Sequence, residues 1–317
     1  MEIARNPKKS RTLQHCLQYL PQAETVTYLL SVVIPVYNAE KFVRSAIESV
    51  LGQTYSELEI VIINDGSTDS SLEILRLLEQ RDPRVRLFSR GNRGLVSTLN
   101  EAFEYCHGDF ILRMDADDIA EPRWAETLLK HMEKNPECDI VGSQAWSIDE
   151  SDKITGIIRK PCTSAAINSH MIRNSPLIHP SIMMRKSIVS MPLYKQSDWP
   201  AEDYGAWIRV NTGCNLQNVS KTLIKYRRNK NGISLSNQDL QRRKSYELRE
   251  KYLLNSFLVW SSPSERSFLI NSLGWQGMAS LWLKNRSHLS LFTLVKNQLI
   301  TFFLTRVKYA RSKSNIV

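Results

Sequence analysis

From Leu29 onward, short runs rich in β-branched and aliphatic residues alternate with stretches whose apolar residues recur every three or four positions. That alternation confines the chain to βαβ units on a mostly parallel sheet, because parallel strands need a crossover and a helix is its usual form. Leu29 to Val36 reads as a strand. Phe42, Val43, Ala46, Ile47, Val50 and Leu51 then share a helical face, and Leu58 to Ile63 is the next apolar run. Leu72, Leu75 and Leu78 predict a second helix, with a strand from Val85 to Phe88 after the Asp82-Pro83 turn. A third helix follows through Leu95, Leu99, Ala102 and Phe103, then a strand from Phe110 to Leu112, a helix through Leu128, Leu129 and Met132, and a closing strand from Asp139 to Gly142. Residues 145 to 225 are less periodic, and the text after Arg227 is basic and helical in pattern.

Open α/β sheets bind ligands beyond the carboxyl ends of their strands. Three polar clusters fall there: Pro35-Val36-Tyr37-Asn38, Asn64-Asp65-Gly66-Ser67-Thr68-Asp69 and Asp115-Ala116-Asp117-Asp118. Three carboxylates as close as Asp115, Asp117 and Asp118 repel one another unless a cation joins them. Hard ions such as Mg²⁺ or Mn²⁺ are the natural partners, since Mg²⁺ takes one or two carboxylates together with substrate phosphates. The competing explanation is that acids ahead of Pro122 favour the positive end of the next helix. A calcium loop fails, because Ile119 and Ala120 stand where that pattern needs an oxygen ligand and a glycine.

Asp65 follows the second strand in a tight turn, where its carboxylate can accept hydrogen bonds from a base or ribose, or where Ser67 and Asp69 simply cap the following helix. Glu202 and Asp203 lie between Trp199 and Trp207, and partial desolvation there would raise a carboxyl's pKa towards general-base usefulness; a helix start with acids in its first turn is the alternative. His179 before Pro180 suits a metal or phosphate contact, or a hydrogen-bonded core position. Neither GxGxxG nor GxxxxGK[ST] occurs, which removes the main support for Rossmann-type dinucleotide and P-loop binding.

The 317 residues carry 42 Lys and Arg against 32 Asp and Glu, a net charge of +10 that favours a polyanionic partner. After Glu265 no acid occurs, while Arg266, Lys284, Arg286, Lys296, Arg306, Lys308, Arg311 and Lys313 do. Phe292, Val295, Leu299, Phe302 and Phe303 fall on one helical face flanked by Lys296, Arg306 and Lys308, the pattern of an interfacial helix on anionic lipid or of a tail packed on the body. Leu289 to Leu304 is broken by Lys296, Asn297 and Gln298, too polar for a membrane span. Five scattered cysteines without metal spacing read as reduced thiols, and no signal-peptide core follows the N-terminus, so a cytoplasmic chain is expected.

In order, Ile34-Pro35-Val36-Tyr37-Asn38, Ser49-Val50-Leu51-Gly52-Gln53-Thr54, Asn64 to Asp69, Asn92-Arg93-Gly94-Leu95 with Asn100, Arg113 to Asp118, His179-Pro180-Ser181, Glu202-Asp203-Tyr204 and Tyr226-Arg227 resemble the family 2 glycosyltransferases of GT-A fold, in particular bacterial enzymes of O-antigen, capsule and exopolysaccharide assembly. The resemblance runs from about Ser31 to Arg228 and lacks the QxxRW motif of processive synthases, so one sugar per encounter is expected. It implies an α/β nucleotide-diphospho-sugar transferase fold: an N-terminal extension at 1–28, a nucleotide-binding half at 29–144, an acceptor-binding half at 145–228 and a basic helical appendage at 229–317. It also implies roles. Pro35, Tyr37, Asn38, Asp65, Asn92, Arg113, Asp115 and Ala116 would hold the nucleotide-sugar, Asp117 with His179 the Mn²⁺ or Mg²⁺, and Asp203, assisted by Glu202, the acceptor's reacting hydroxyl. The expected activity is inverting transfer from a UDP-sugar to a polyprenyl-diphosphate-linked or oligosaccharide acceptor at the inner face of the membrane. A nucleic-acid-binding module lacks finger, helix-turn-helix or aromatic-basic motifs and leaves the acidic strand ends unexplained; a catalytically idle scaffold of the same fold is the other alternative.

Overall fold

The computed structural model describes residues 27–260 except 172, 190, 191, 212, 230, 231 and 233–235, and leaves out the side chains of 250 and 253–260. The amphipathic stretch at 292–303 and most of the N-terminal extension lie outside the described residues.

Strand β1 (Leu30–Val36) and β2 (Leu58–Asp65) are buried along their whole length, as runs covered on both faces must be. They pair in parallel with each other; β3 (Val85–Arg90) pairs parallel to β2, and β4 (Phe110–Arg113) parallel to the other side of β1. Helix α1 (Val43–Leu51) buries Val43, Ala46, Ile47 and Val50, and α2 (Ser71–Arg81) buries Leu75 and Leu78; each set is one helical stripe. Helices α3 (Leu95–Glu104) and α4 (Trp124–Lys134) complete the first half. Because side chains alternate across a strand, Val32 and Ile34 of β1 join one core with α1, α2 and α4, while Val33 joins a second core with α3 on the opposite face.

The second half is mixed. Short β5 (Ile119–Ala120), long β6 (Ile140–Ile148), β7 (Ile154–Ile158), α5 (Ser164–Met171), β8 (Met183–Arg185), α6 (Glu202–Val210), β9 (Leu216–Arg227) and α7 (Gln238–Trp260) follow in order. The sheet runs β3-β2-β1-β4-β8-β6-β9-β5, with β7 beside β6. The expected mostly parallel sheet is therefore interrupted: β8 lies antiparallel between β4 and β6, and β5 and β7 are antiparallel edges. Three-residue β8 is too short to show a period. The order reverses at β1 and β4, so the crevice at their carboxyl ends is where a ligand is expected, and the loops after Val36 and Arg113 meet there. Helix α7 packs on α6: Leu248 is buried, Gln241 Nε2 donates to the Pro200 carbonyl at 3.0 Å, and Asn211 Nδ2 donates to Tyr252 Oη at 3.4 Å.

Candidate active site

The loops after β1 and β2 are tied to each other. Asn38, in a left-handed conformation with φ 49°, accepts the Thr68 amide on Oδ1 at 2.8 Å and donates its own amide to Ser67 Oγ at 3.0 Å. Asp69 accepts the Glu40 amide at 3.0 Å and, with its other oxygen, the Ser71 amide at 3.0 Å, so it caps α2 while holding the neighbouring loop. Tyr37 projects outward at 53% exposure, available to stack on a flat ligand.

Asp65 is nearly fully buried and turns inward. It accepts the Arg93 amide at 2.7 Å, the Gly94 amide at 2.9 Å and an Arg90 guanidinium N–H. Asn92 Oδ1 accepts the Gly94 amide at 3.2 Å, and Gly66, at φ 71°, lets the two loops touch, since a Cβ there would lie 2.6 Å from the Asn92 nitrogen. The Asn64 and Asn92 motifs, separate in sequence, thus form one rim.

The acidic loop leaves β4 from a buried Arg113, whose Nη2 pairs with Asp115 and whose Nε and Nη1 have no hydrogen-bond partner. One oxygen each from Asp115, Asp117 and Asp118 lies within 4.8 Å of the others. Desolvation and then the Asp115 charge push Asp117 up to about 6, and Asp118 is raised well above the carboxylate range by burial and its two acidic neighbours. Asp118 accepts the Arg227 amide on Oδ1 at 2.8 Å while Oδ2 has no partner. An all-oxygen set with a deficit of positive charge and an orphaned carboxylate oxygen fits a hard divalent cation. Ala116, nearly buried, sits between the acids.

Arg227 fastens this loop from the far strand. Its Nε donates to the Asp117 carbonyl at 2.7 Å and its Nη1 to the Asp149 carbonyl at 2.8 Å; Nη2 pairs with Asp152 at 2.5 Å, and the guanidinium lies 4.4 Å from the centroid of the Phe42 ring. Arg209 pairs with Asp198. Both arginines serve the scaffold here.

The third group stands at the start of α6. Glu202 is buried, Oε2 has no partner, and burial followed by the Asp203 charge raises it to about 7. Asp203 is half-buried, its pKa is raised chiefly by desolvation, and its Oδ2 accepts from Ser175 Oγ at 3.1 Å. Carboxyls displaced towards neutrality suit proton transfer at neutral pH. Burial and then Arg113 drive the His179 pKa well down; Nε2 shares a hydrogen bond with Tyr194 Oη at 2.7 Å, and the ring lies edge-on to Trp207. It stands outside the three-carboxylate group, beside Arg113.

Tyr194, Ser175 and Lys160 belong to this site without any sequence signal of their own. Asn100 clamps the Tyr194 backbone with two hydrogen bonds, Nδ2 to the carbonyl at 2.9 Å and Oδ1 from the amide at 3.1 Å, a pairing of residues 94 apart that helps hold Tyr194 beside His179.

The profile described as Glycosyl transferase family 2 matches residues 31–190. An uncharacterised glycosyltransferase of Haemophilus influenzae is 35% identical over 218 residues, 65% of this chain and 67% of that one. The O-antigen biosynthesis glycosyltransferase WbnJ of Escherichia coli is 29% identical over 237 residues, 73% of this chain and 92% of that protein. The crystal structure of Staphylococcus aureus TarS 1–349 in complex with UDP-GlcNAc superposes with a TM-score of 0.56 at 16% identity, covering 78% of this chain and 80% of that one, which places the layered sheet in the GT-A class. Since the profile spans half of the sequence and takes in both the inward-turned Asp65 rim and the acidic loop after β4, the chain belongs to glycosyl transferase family 2 and is a glycosyltransferase.

Proposed function

We propose that this chain is an inverting, metal-dependent transferase that moves a sugar from a UDP-sugar to a glycan carried on a polyprenyl diphosphate, at the cytoplasmic face of the membrane, in the assembly of a bacterial surface polysaccharide. One observation carries the reading: the three-carboxylate loop and the Glu202-Asp203 pair both face the buried Arg113, whose charge acts on Asp115, Asp118, Glu202 and Asp203 alike. An acid-rich loop beside a pair of carboxyls with raised pKa values is what transfer from a nucleoside diphosphate to a hydroxyl demands.

The half at 29–144 takes the donor. Tyr37 offers its ring to the base and Pro35 shapes the same wall; Asn38, Asp65 and Asn92 hold the rim against which base and ribose lie. Arg113, Asp115 and Ala116 face the diphosphate and sugar. Asp117, with Asp115 and Asp118, would hold a Mg²⁺ or Mn²⁺, with His179 next to the cluster; when bound, such an ion neutralises charge developing on the departing diphosphate. The half at 145–228 takes the acceptor. Asp203 accepts the proton of the acceptor hydroxyl as that oxygen bonds to the anomeric carbon and the carbon–phosphate-oxygen bond breaks, its electron pair leaving with the nucleoside diphosphate. A single displacement inverts the anomeric centre. Glu202, the less exposed of the pair, holds acceptor hydroxyls and sets the charge that Asp203 experiences.

The likeness to WbnJ supports the surface-polysaccharide setting, and the UDP-GlcNAc complex of TarS supports the uridine donor. Among the described residues no helix is long and apolar enough to cross a membrane, so attachment is assigned to the basic C-terminal region. The test is transfer of radiolabelled sugar from a panel of nucleotide donors to a GlcNAc-diphosphate-lipid analogue with Mn²⁺ or Mg²⁺. Asp203→Asn and Asp117→Ala should each abolish it, and undiminished transfer by both variants would remove this mechanism.

A further inference from the structure

Beside Asp203 lies a group of cations that neither the donor site nor the proton transfer uses. Lys160, just past the end of β7, is half-buried, and its Nζ donates to the Ser175 carbonyl at 2.5 Å while the hydroxyl of the same serine donates to Asp203. Its ammonium is therefore one residue away from the catalytic carboxylate. The end of α5 brings His170 alongside, and the turn after it, closed by the Arg173 amide on the His170 carbonyl at 2.8 Å, presents Arg173 at the surface. Both cations bear on the imidazole: burial lowers the His170 pKa first, then Lys160 and Arg173 lower it further. Among the described residues Asp203 is the carboxylate that acts on Lys160. Among the described residues neither Lys160 nor Arg173 forms an ion pair, whereas most other arginines and acids of the interior do.

A half-buried ammonium using one of its three donors, with an arginine and an imidazole nearby and one shared carboxylate, is short of negative charge. We infer that Lys160 and Arg173, with His170 between them, form an acceptor subsite for an anionic group, a phosphate or a carboxylate attached to the sugar whose hydroxyl meets Asp203. The inference rests on the proposed function, since that reading assigns the hydroxyl to Asp203. Two chemistries supply such an anion: the diphosphate linking the acceptor sugar to its lipid, or a uronate within the acceptor glycan. Either would pull the acceptor ring against Asp203 and fix which hydroxyl is presented.

The test uses the full-length protein saturated with UDP and Mg²⁺, so that the nucleotide site is filled, and measures by calorimetry the affinity of farnesyl diphosphate, farnesol and a glucuronate glycoside. Wild-type protein should bind one anionic probe at least about tenfold more tightly than farnesol, as charge-assisted hydrogen bonds allow. Lys160→Gln and Arg173→Gln should erase that preference and Lys160→Arg should keep it; which probe responds names the source of the anion. Arg173 is exposed, so Arg173→Gln carries the test if Lys160→Gln fails to fold. Equal affinity for charged and neutral probes, or a preference that survives both Gln variants, overturns the subsite. Failure of UDP to bind in the first titration would sink the proposed function instead, so the two failures are separable.

Discussion

Glu202→Gln tests the electrostatics of the site without any substrate. The carboxyl is 6% exposed, its Oε2 has no partner, and burial with the Asp203 charge lifts its pKa from 4.5 to about 7. In the unfolded chain the proton leaves near the ordinary value; in the folded chain it leaves near 7. Between the two, the folded state keeps a proton the unfolded state has lost, so this group makes the fold lose stability as pH rises, and the whole cost is present above about 7. A displacement of that size corresponds to about 3 kcal/mol. Glutamine has the shape of the protonated acid and does not titrate. The variant should therefore match wild type near pH 4 and exceed it by about 2–3 kcal/mol near pH 8. Urea unfolding in chelator across that range measures the difference; Asp117 and Asp118 titrate in both proteins and largely cancel. A gap between variant and wild type that is the same at both pH values would refute the claim that Glu202 is buried against a second negative charge.

Asp117→Asn should act in opposite directions on stability and activity. With chelator present it removes a repelled, desolvated charge and should raise stability near pH 8 by up to about 2 kcal/mol, while transfer falls at least about a hundredfold; thermal melts beside sugar-transfer assays would disprove this if the variant melted lower or transferred normally. Gly205→Ala should destabilise the protein by about 1–3 kcal/mol, because a Cβ would fall 2.7 Å from Asp198 Cγ and 2.9 Å from its Cβ, and Asp198 is held by Arg209. Urea midpoints equal to wild type would mean that Asp198 yields freely.

Much of the site in the first half was legible because its residues lie at strand ends whose apolar runs are unmistakable. Asp115, Asp117 and Asp118 come just after Phe110–Arg113, and Asn64 to Asp69 straddle the end of a fully buried strand, so placing the strands placed the clusters. What the side chains do there was less legible. Asp65 faces inward to Arg90 and the amides of Arg93 and Gly94, a partnership visible only once β2 and β3 are paired. Arg227 reads as one more cation in a basic stretch, yet it is buried and binds the backbone of Asp117.

From the order of residues alone came the α/β class, the places but not the ends of the strands of the first half, the acidic loop and the pair at Glu202 and Asp203, since each depends on local periodicity or on like charges within a few positions. Tertiary structure decided the rest: the slot for β8 between β4 and β6, the Asn100 clamp on Tyr194, the burial that raises Glu202 and lowers His179, and the meeting of Lys160 with Ser175. A short strand has no period to read, and a pKa depends on what surrounds a group in space. Both are properties of packing between residues far apart in the chain.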